Sequence, residues 1–266
     1  MSEFPGPTDP VCLIIAGYDP SGGGGVLADL RAARACGVRA VAAVTAVTAQ
    51  DTKTLTRVEP VAPDLLRAQL DLLRGEFPVG AVKLGMLGTA KNAAVVDAVL
   101  RELPEDLPVV LDPVLAATAG GPLFEADRLD ALRALFPRVT LVTPNLPELA
   151  VLTGCDPGTP PGRSAGARAL LALGATAVLV KGGHAGGDRI IDELHTGAGI
   201  IPFTSERLVL PKIRGTGCFL ATAIACGLMD SRALPDAVAN ARGLLLDRLA
   251  SPWFPAGGNG LISDFT

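Results

Sequence analysis

Short apolar runs alternate along this chain with longer amphipathic segments, and no other feature of the sequence limits the fold as strongly. The runs Val11–Ala16 and Ala177–Val180 are apolar throughout, as expected for strands that are covered on both faces. The segments between such runs place apolar residues at helical spacing. Because strands and helices that take turns form βαβ units, the sequence predicts an α/β fold with a mainly parallel central sheet and helices on both faces.

The expected elements can be placed along the chain. We expect strands at Val11–Ala16, Ala40–Val47, Ala81–Leu84, Pro108–Leu111, Thr140–Thr143 and Ala177–Val180. We expect helices at Val26–Cys36, Pro63–Arg74, Ala90–Leu103, Arg128–Phe136, Ser164–Leu173, Gly217–Met229 and Pro235–Leu249. Three short runs without an intervening helix indicate antiparallel strands at a sheet edge: Arg189–His195, Gly199–Phe203 and Arg207–Leu210. Pro157–Gly162 is interpreted as a connection between two helices, so we expect a single domain over residues 1–266.

Composition excludes several classes of protein. The formal net charge of −4 argues against binding to nucleic acid or to an anionic membrane. No run approaches the roughly 20 apolar residues that span a bilayer, and Met1–Pro10 lacks the basic and apolar regions of a secretory signal. Five cysteines without a CxxC pair indicate reduced thiols, and two histidines leave few ligands for zinc. We therefore expect a cytoplasmic protein.

Glycines and charged residues cluster where the predicted strands end, which is where ligands bind in open α/β sheets. The first strand leads into Gly17–Gly25, whose four consecutive glycines either let the backbone approach a ligand closely or form a flexible turn. Asp29, one turn into the next helix, is expected to point back toward the same pocket, which favours the first alternative. Neither a GxxxxGK(S/T) loop nor a complete GxGxxG motif occurs, so a P-loop or dinucleotide-binding enzyme is disfavoured.

Two of the five lysines, Lys83 and Lys181, lie at the ends of predicted strands. An ammonium group at a strand end can neutralise a phosphate, whereas an ordinary surface lysine keeps its charge in water. Lys181 precedes two glycines that leave it uncrowded, so we favour a phosphate contact for it. For Lys83 both alternatives stay open.

Side chains with oxygen atoms follow two further predicted strands. Asp112 ends one strand, and Asn145 and Glu148 come after the next. Asn145 and Glu148 fit a capping box at the start of a helix. They are equally suited to the hydrated shell of a Mg²⁺ ion on a nucleotide, and their spacing leaves both interpretations open.

The segment Gly215-Thr216-Gly217-Cys218 opens an apolar helix. Successive backbone N–H groups at such a helix N-terminus are suited to bind an anion. Cys218 lies in the first turn, where the helix dipole is expected to lower the thiol pKa. A thiolate there could take a proton from a substrate hydroxyl while the N–H groups hold the charge of a phosphoryl group.

Seven motifs occur in a fixed order along the chain. They are Ile15–Gly25 with Ala28–Leu30, Thr48–Gln50, Lys83–Leu87, Leu111–Val114, Thr143–Glu148, Val180–His184 and Gly215–Cys218. Together they resemble the motifs of the hydroxymethylpyrimidine/phosphomethylpyrimidine kinases, a family of the ribokinase-like superfamily. The resemblance extends from about Val11 to about Leu228 and is specific in its combination of motifs.

The resemblance implies a ribokinase-like fold, commonly homodimeric, and an enzyme that uses ATP and Mg²⁺. Its substrates would be 4-amino-5-hydroxymethyl-2-methylpyrimidine and its monophosphate, in thiamine biosynthesis. The implied substrate-binding residues are Gly17, Asp29, Gln50, Met86 and Val114. The implied catalytic base is Cys218, with an anion hole formed by Gly215, Thr216 and Gly217. The implied ATP-binding residues are Lys181, Asn145 and Asp112, with Glu148 at the Mg²⁺ position.

The sequence departs from the family pattern at several positions, and two of these departures concern charged residues of the family near the implied site. Arg214 stands where the family usually has histidine, and Thr118-Ala119-Gly120 replaces Lys-Ser-Gly. We hypothesise that Arg214 supplies the positive charge that this loop lacks. Two alternative functions stay open: a pyridoxal kinase of the same family, and a non-catalytic protein that binds a pyrimidine or a nucleotide.

Overall fold

A nine-stranded sheet forms the centre of the computed structural model, which describes residues 9–117, 120–184 and 186–262. The strands are β1 (Val11–Tyr18), β2 (Ala40–Gln50), β3 (Leu55–Pro60), β4 (Val79–Leu84), β5 (Val109–Leu111), β6 (Leu141–Val142), β7 (Ala177–Val180), β8 (Arg189–Thr196) and β9 (Gly199–Glu206). Their order is β3-β2-β1-β4-β5-β6-β7-β8-β9. The six strands from β2 to β7 in this order are parallel, while β3 at one edge and β8 and β9 at the other form antiparallel pairs.

Helices cover both faces of the sheet. They are α1 (Gly25–Ala35), α2 (Pro63–Glu76), α3 (Ala90–Glu102), α4 (Leu129–Arg133), α5 (Leu146–Thr153), α6 (Pro160–Ala172), α7 (Thr216–Met229) and α8 (Leu234–Leu249). Buried side chains of α2 to α6 form one apolar layer with the sheet, and those of α1, α7 and α8 form the other. None of the helices in the described ranges has the length and apolar character needed to cross a membrane.

Successive residues of the central strands pack into opposite layers. In β1, Leu13 and Ile15 join the α2–α6 layer, while Ile14 between them joins the α1–α7–α8 layer. Strands buried on both faces must be apolar at every position, which is why these runs stand out in the sequence. Lys83 is the exception in β4, because it is fully buried yet charged.

The predicted α/β class, the parallel centre and the antiparallel edge are confirmed, but three predicted details are wrong. Strand β3 was not expected, because it is a mostly exposed edge strand without an apolar run. Arg207–Leu210 forms no strand: it precedes Pro211, and Val209 within it is fully exposed. Helix α6 begins inside the predicted connection, because Thr159 accepts the N–H of Gly162 and a proline occupies the first turn.

The end of the described chain returns to the turn that follows β2. Strands β10 (Ile213–Arg214) and β11 (Gly260–Leu261) form a separate parallel pair. Just before β11, the backbone N–H of Asn259 donates to the Thr52 hydroxyl at 3.0 Å. This segment therefore ties β10, which leads into α7, to the residues between β2 and β3.

Candidate active site

Residues that follow the parallel strands meet along one edge of the sheet, because parallel strands end on the same side. Asp112 follows β5 and Lys181 follows β7, and Lys181 Nζ lies 2.7 Å from Asp112 Oδ1. Thr143, after β6, donates its hydroxyl to the same oxygen at 3.3 Å. The first turn of α7 lies against this pair, since a Cβ built on Gly217 would stand 3.2 Å from Lys181 Nζ. The structure thus brings Asp112, Lys181 and Gly217 together.

Both members of this pair are held in their charged forms. Burial alone would raise the pKa of Asp112, but the ammonium groups of Lys181 and Lys83 lower it below its usual value. Burial would likewise lower the pKa of Lys181, and the carboxylates of Asp112 and Glu148 raise it instead. A largely buried ammonium group therefore faces the N-terminus of α7, where it is suited to contact an anion.

Asn145 and Glu148 form the capping box at the start of α5. The Asn145 side chain accepts the N–H of Glu148 at 2.8 Å, and the Glu148 carboxylate accepts the N–H of Asn145 at 2.8 Å. Burial raises the pKa of Glu148 to about 7, although the Lys181 ammonium lowers it in part. One of its oxygens makes the cap, and in the described parts of the chain the other has no hydrogen-bond partner. Binding of a metal ion by this pair is therefore compatible with the geometry.

Two glycine-rich segments pack on each other where α7 begins. Gly215 adopts a left-handed conformation with a φ of 82°, and a Cβ there would stand 2.9 Å from the carbonyl oxygen of Gly23. No side chain in the described parts of the chain caps α7. The N–H groups of its first turn, which begins with Thr216 and Gly217, therefore remain available to an anion beside Lys181.

Cys218 lies in the first turn of α7, and the backbone N–H of Gly25 lies near its sulfur. The predicted lowering of its pKa is wrong. Burial raises the pKa of the thiol to about 12, which outweighs the opposite effects of the Lys83 ammonium and of the Gly25 N–H. Nearby carboxylates add to the increase, so Cys218 is a neutral thiol at physiological pH.

Three of the predicted substrate-binding residues lie near one another. A Cβ built on Gly17 would stand 2.7 Å from Met86 Sδ. Met86 belongs to a small apolar cluster against which Val114 packs. Gln50 is half-buried at the end of β2, and its side-chain oxygen accepts a hydrogen bond from Arg214 at 3.0 Å. An apolar wall and one amide group are therefore present beside the strand ends.

Asp29 forms an ion pair inside the protein, and its predicted contact with a substrate stays a prediction. Its carboxylate and the Lys83 ammonium are both fully buried and pair through both carboxylate oxygens, at 2.8 and 2.7 Å. Thr222 of α7 also donates its hydroxyl to this carboxylate, at 2.8 Å. For Lys83, whose phosphate contact the sequence left open, this ion pair is the contact that the structure shows. A buried lysine between β4 and α1 needs an opposite charge, and Asp29 supplies it.

Arg214 does not present a free charge, so the hypothesis that it replaces the loop lysine is wrong. Its side chain is 5% exposed, and its guanidinium group donates to Asp19 Oδ2 at 2.9 Å as well as to Gln50. Sequence reasoning missed Asp19, although Asp19-Pro20-Ser21 directly after a strand is typical of a turn in which the carboxylate accepts nearby backbone N–H groups. Thr118, where the family lysine is missing, lies outside the described residues.

The acidic side chains at this edge fit a magnesium ion that is held mainly by a nucleotide. Within the described ranges, no group of three or more His, Cys, Asp or Glu side chains is placed to hold a metal ion. Mg²⁺ seldom needs such a group, since it keeps several waters and uses one or two carboxylates together with substrate phosphates. Asp112 and Glu148, which flank Lys181, can supply those carboxylates.

Comparisons with known proteins show the family of the chain. The family model described as phosphomethylpyrimidine kinase matches residues 19–262. The chain belongs to this family. A hydroxymethylpyrimidine/phosphomethylpyrimidine kinase of Mycobacterium tuberculosis is 39% identical over 236 residues, which are 88% of this chain and 86% of the relative. As a member of this kinase family, the protein is a phosphotransferase.

Solved structures share the fold of this kinase. The pyridoxal kinase of Bacillus subtilis, in complex with ADP, matches with a TM-score of 0.87 and 28% identity over 96% of this chain and 97% of that one. The phosphomethylpyrimidine kinase of Clostridium difficile matches with a TM-score of 0.79 and 28% identity over 91% and 100% of the two chains. The fold is therefore ribokinase-like, as the motifs implied.

Because the pKa of Glu148 is raised in the folded protein, the free energy of unfolding should depend on pH. A carboxyl group whose pKa is higher in the folded protein stabilises it below the unfolded pKa, and this contribution is lost as the pH rises through about 7. Glu148→Gln keeps the capping box and removes the charge. Above pH 7 we expect the variant to unfold at a higher temperature than the wild type. Its free energy of unfolding should be higher by at most about 3 kcal/mol.

The measurement is a series of thermal melts at different pH values. The difference between Glu148→Gln and the wild type should disappear near pH 4.5, the ordinary pKa of a glutamate side chain. Glu105→Gln, at an exposed glutamate, is the matched control and should show no such dependence. A constant difference between Glu148→Gln and the wild type at every pH would contradict the prediction.

Proposed function

We propose that this kinase transfers the γ-phosphoryl group of ATP to the hydroxymethyl oxygen of 4-amino-5-hydroxymethyl-2-methylpyrimidine, and then phosphorylates the monophosphate, in thiamine biosynthesis. One observation carries the proposal: the Lys181 ammonium lies against Gly217 in the uncapped first turn of α7, next to Cys218. A cation, free backbone N–H groups and a group that can exchange a proton are what phosphoryl transfer to an alcohol requires.

The proposed step relies on positioning and on charge stabilisation. The transition state of phosphoryl transfer is loose and carries its charge on the phosphoryl oxygens. Lys181 and the N–H groups of Gly215, Thr216 and Gly217 would hold these oxygens. The thiolate form of Cys218 would accept the hydroxyl proton while the new P–O bond forms and the bond to the β-phosphate oxygen of ADP breaks. Because the thiol is protonated at neutral pH, this step should become faster as the pH rises.

Mg²⁺ belongs to the proposal as the partner of ATP. Asp112 and Glu148 would hold the ion together with the phosphates, and the capping contact with Asn145 would fix the Glu148 carboxylate in place. When bound, the ion would neutralise phosphate charge. Lys181 pairs with Asp112 in this structure, which supports a site where one side chain contacts a phosphate and the other the metal ion.

The proposed pyrimidine site uses the apolar wall formed by Gly17, Met86 and Val114 and the amide of Gln50. Pyridoxal is a second candidate substrate, because the similarity in fold to the pyridoxal kinase of Bacillus subtilis is high. The test offers both alcohols to the enzyme at equal concentration with ATP and Mg²⁺ and quantifies the two phosphate esters by mass spectrometry. We expect the pyrimidine product to dominate. Predominance of pyridoxal phosphate would overturn the substrate assignment and leave the proposed chemistry intact.

A substitution at Lys181 tests the phosphate contact. Lys181→Met removes a charge-assisted contact and should raise the KM for ATP by about 10- to 100-fold. The KM for the alcohol should change little, because Lys181 pairs with Asp112 and is assigned to the phosphates of ATP and not to the alcohol. Steady-state kinetics with each substrate varied in turn gives both constants. Lys91→Met, at an exposed lysine of α3, is the control. An unchanged KM for ATP in Lys181→Met would contradict the assignment.

The enzyme also has a domain organisation, an oligomeric state and a cellular compartment to be assigned. We propose a single kinase domain over residues 1–266 that acts on small molecules as a homodimer in the cytoplasm. The continuous sheet from β1 to β9 supports the first point. The free cysteines support a reducing compartment. Exposed apolar side chains on β9, such as Ile200 and Ile201, are compatible with a subunit contact.

A further inference from the structure

Arg214 gathers three acceptors from two segments that lie far from it in the sequence. Its Nη2 donates to Asp19 Oδ2 at 2.9 Å and to Gln50 Oε1 at 3.0 Å, and its Nη1 donates to the carbonyl oxygen of Asp51. Both side chains of the ion pair with Asp19 are at most 5% exposed. A guanidinium group offers its donors in a rigid plane, so these contacts fix the end of β2 relative to the loop after β1.

The contact with Arg214 determines which end of the Gln50 amide faces it. Arginine has only donors, so the amide oxygen must point toward the guanidinium group and the NH₂ group must point away from it. In the described parts of the chain, the Gln50 side chain makes no other hydrogen bond. Its NH₂ group therefore remains available to a ligand. A histidine at position 214 could donate or accept, and it would leave both orientations of the amide possible.

The segment after Gln50 is held from a second side as well. The Asp51 carboxylate accepts the N–H groups of Lys53 and Thr54 at 2.7 Å each, which closes the turn between β2 and β3. Asn259 donates its backbone N–H to Thr52 at 3.0 Å, and its side-chain amide donates to the Thr52 carbonyl. Asp51 and Thr52, which follow Gln50 directly, are thus both anchored. Gln50 therefore has little freedom to turn its amide over by moving the backbone.

We infer that Arg214 is a positioning residue that locks the Gln50 amide with its donors toward the substrate, so that the enzyme selects rings that present a hydrogen-bond acceptor at this point. The inference rests on the proposed function, in which Gln50 contacts the ring. An unprotonated ring nitrogen is such an acceptor, and a ring N–H or C–H at the same place is not. A buried amide donor left without a partner lowers affinity, which makes the discrimination effective.

Two variants test the inference without removing the charge that Asp19 needs. Arg214→Lys keeps a cation beside Asp19 but loses the planar fork. Gln50→Glu keeps a partner for Arg214 and replaces the NH₂ donor by an acceptor. Each should raise the KM for the pyrimidine by about tenfold, while kcat and the KM for ATP stay within about twofold of the wild type. Arg101→Lys, in an exposed ion pair on α3, is the matched control.

Substrate analogues supply the readout that a merely structural role would not change. The two analogues each replace one ring nitrogen of the pyrimidine by C–H. The wild type should lose about tenfold in kcat/KM with one of them, and Gln50→Glu should lose this discrimination. The inference is overturned, and the proposed function is not, if an active wild type uses both analogues as efficiently as the parent pyrimidine. An unchanged KM for the pyrimidine in both variants has the same consequence. A wild type that phosphorylates no pyrimidine overturns the proposed function and this inference with it. Thermal melts confirm that each variant is folded.

Discussion

Replacing Cys218 by alanine should lower kcat for phosphoryl transfer by about 10²- to 10⁴-fold, the range expected for loss of a general base. The KM for ATP should change little, because Lys181 and the N–H groups of α7 remain in place. The sulfur of Cys218 is the group in the first turn of α7 that we propose as the acceptor of the hydroxyl proton. Rapid-quench or coupled assays of ADP release measure the effect.

The pH profile separates a proton acceptor from a sulfur that only fills space. Burial raises the pKa of Cys218 to about 12, and only the thiolate accepts a proton. The kcat of the wild type should therefore rise with pH over the whole range from about pH 6 to about pH 9, approaching tenfold per unit. In Cys218→Asp the acceptor is an aspartate, and the profile should flatten. A flat profile in the wild type, or equal rates in Cys218→Ala and the wild type, would exclude the role of Cys218.

Replacing Lys83 by methionine should lower the free energy of unfolding by about 3–5 kcal/mol, since it leaves the fully buried carboxylate of Asp29 without its partner. Burial already raises the pKa of Asp29, and the Lys83 ammonium is what opposes this rise. The variant should therefore lose stability most strongly at high pH, where Asp29 would have to be charged. Urea denaturation at two pH values measures the loss.

A second substitution distinguishes the ion pair from simple packing. Lys83→Met combined with Asp29→Asn removes both charges and keeps an acceptor for Thr222, so it should recover roughly half or more of the lost stability. Lys91→Met, at an exposed lysine, should stay within about 0.5 kcal/mol of the wild type. A stable Lys83→Met variant with a strongly raised KM for ATP would instead restore the phosphate contact that the sequence left open.

The fold could be predicted from the sequence because its strands are buried on both faces. Such strands are apolar at every position, and β1 and β7 are therefore visible as unbroken runs. Strand β3 lacks this signal, because it lies at an edge with most of its residues exposed. The start of α6 was missed for a different reason, since Thr159 and Pro160 read equally well as part of a turn.

The location of the site at the ends of the parallel strands could also be predicted from the sequence. The ion-pair partners of its charged side chains could not. Lys83 and Asp29 are 54 positions apart, and Arg214 is 195 positions from Asp19. Which charges meet across such distances depends on how α1 and β10 pack on the sheet. The pKa of Cys218 could not be predicted either, because the effect of the helix dipole was visible in the sequence and the desolvation of the sulfur was not.

The central claim is that this kinase phosphorylates the hydroxymethyl group of an aminopyrimidine at the edge formed by Lys181, Gly217 and Cys218. The most direct measurement incubates the purified protein with ATP, Mg²⁺ and 4-amino-5-hydroxymethyl-2-methylpyrimidine and follows the pyrimidine by mass spectrometry and ³¹P NMR. We expect a phosphate ester at the hydroxymethyl oxygen, formed with an equal amount of ADP and nearly absent with Cys218→Ala. Hydrolysis of ATP without any phosphorylated pyrimidine, or unchanged product with Cys218→Ala, would contradict this account.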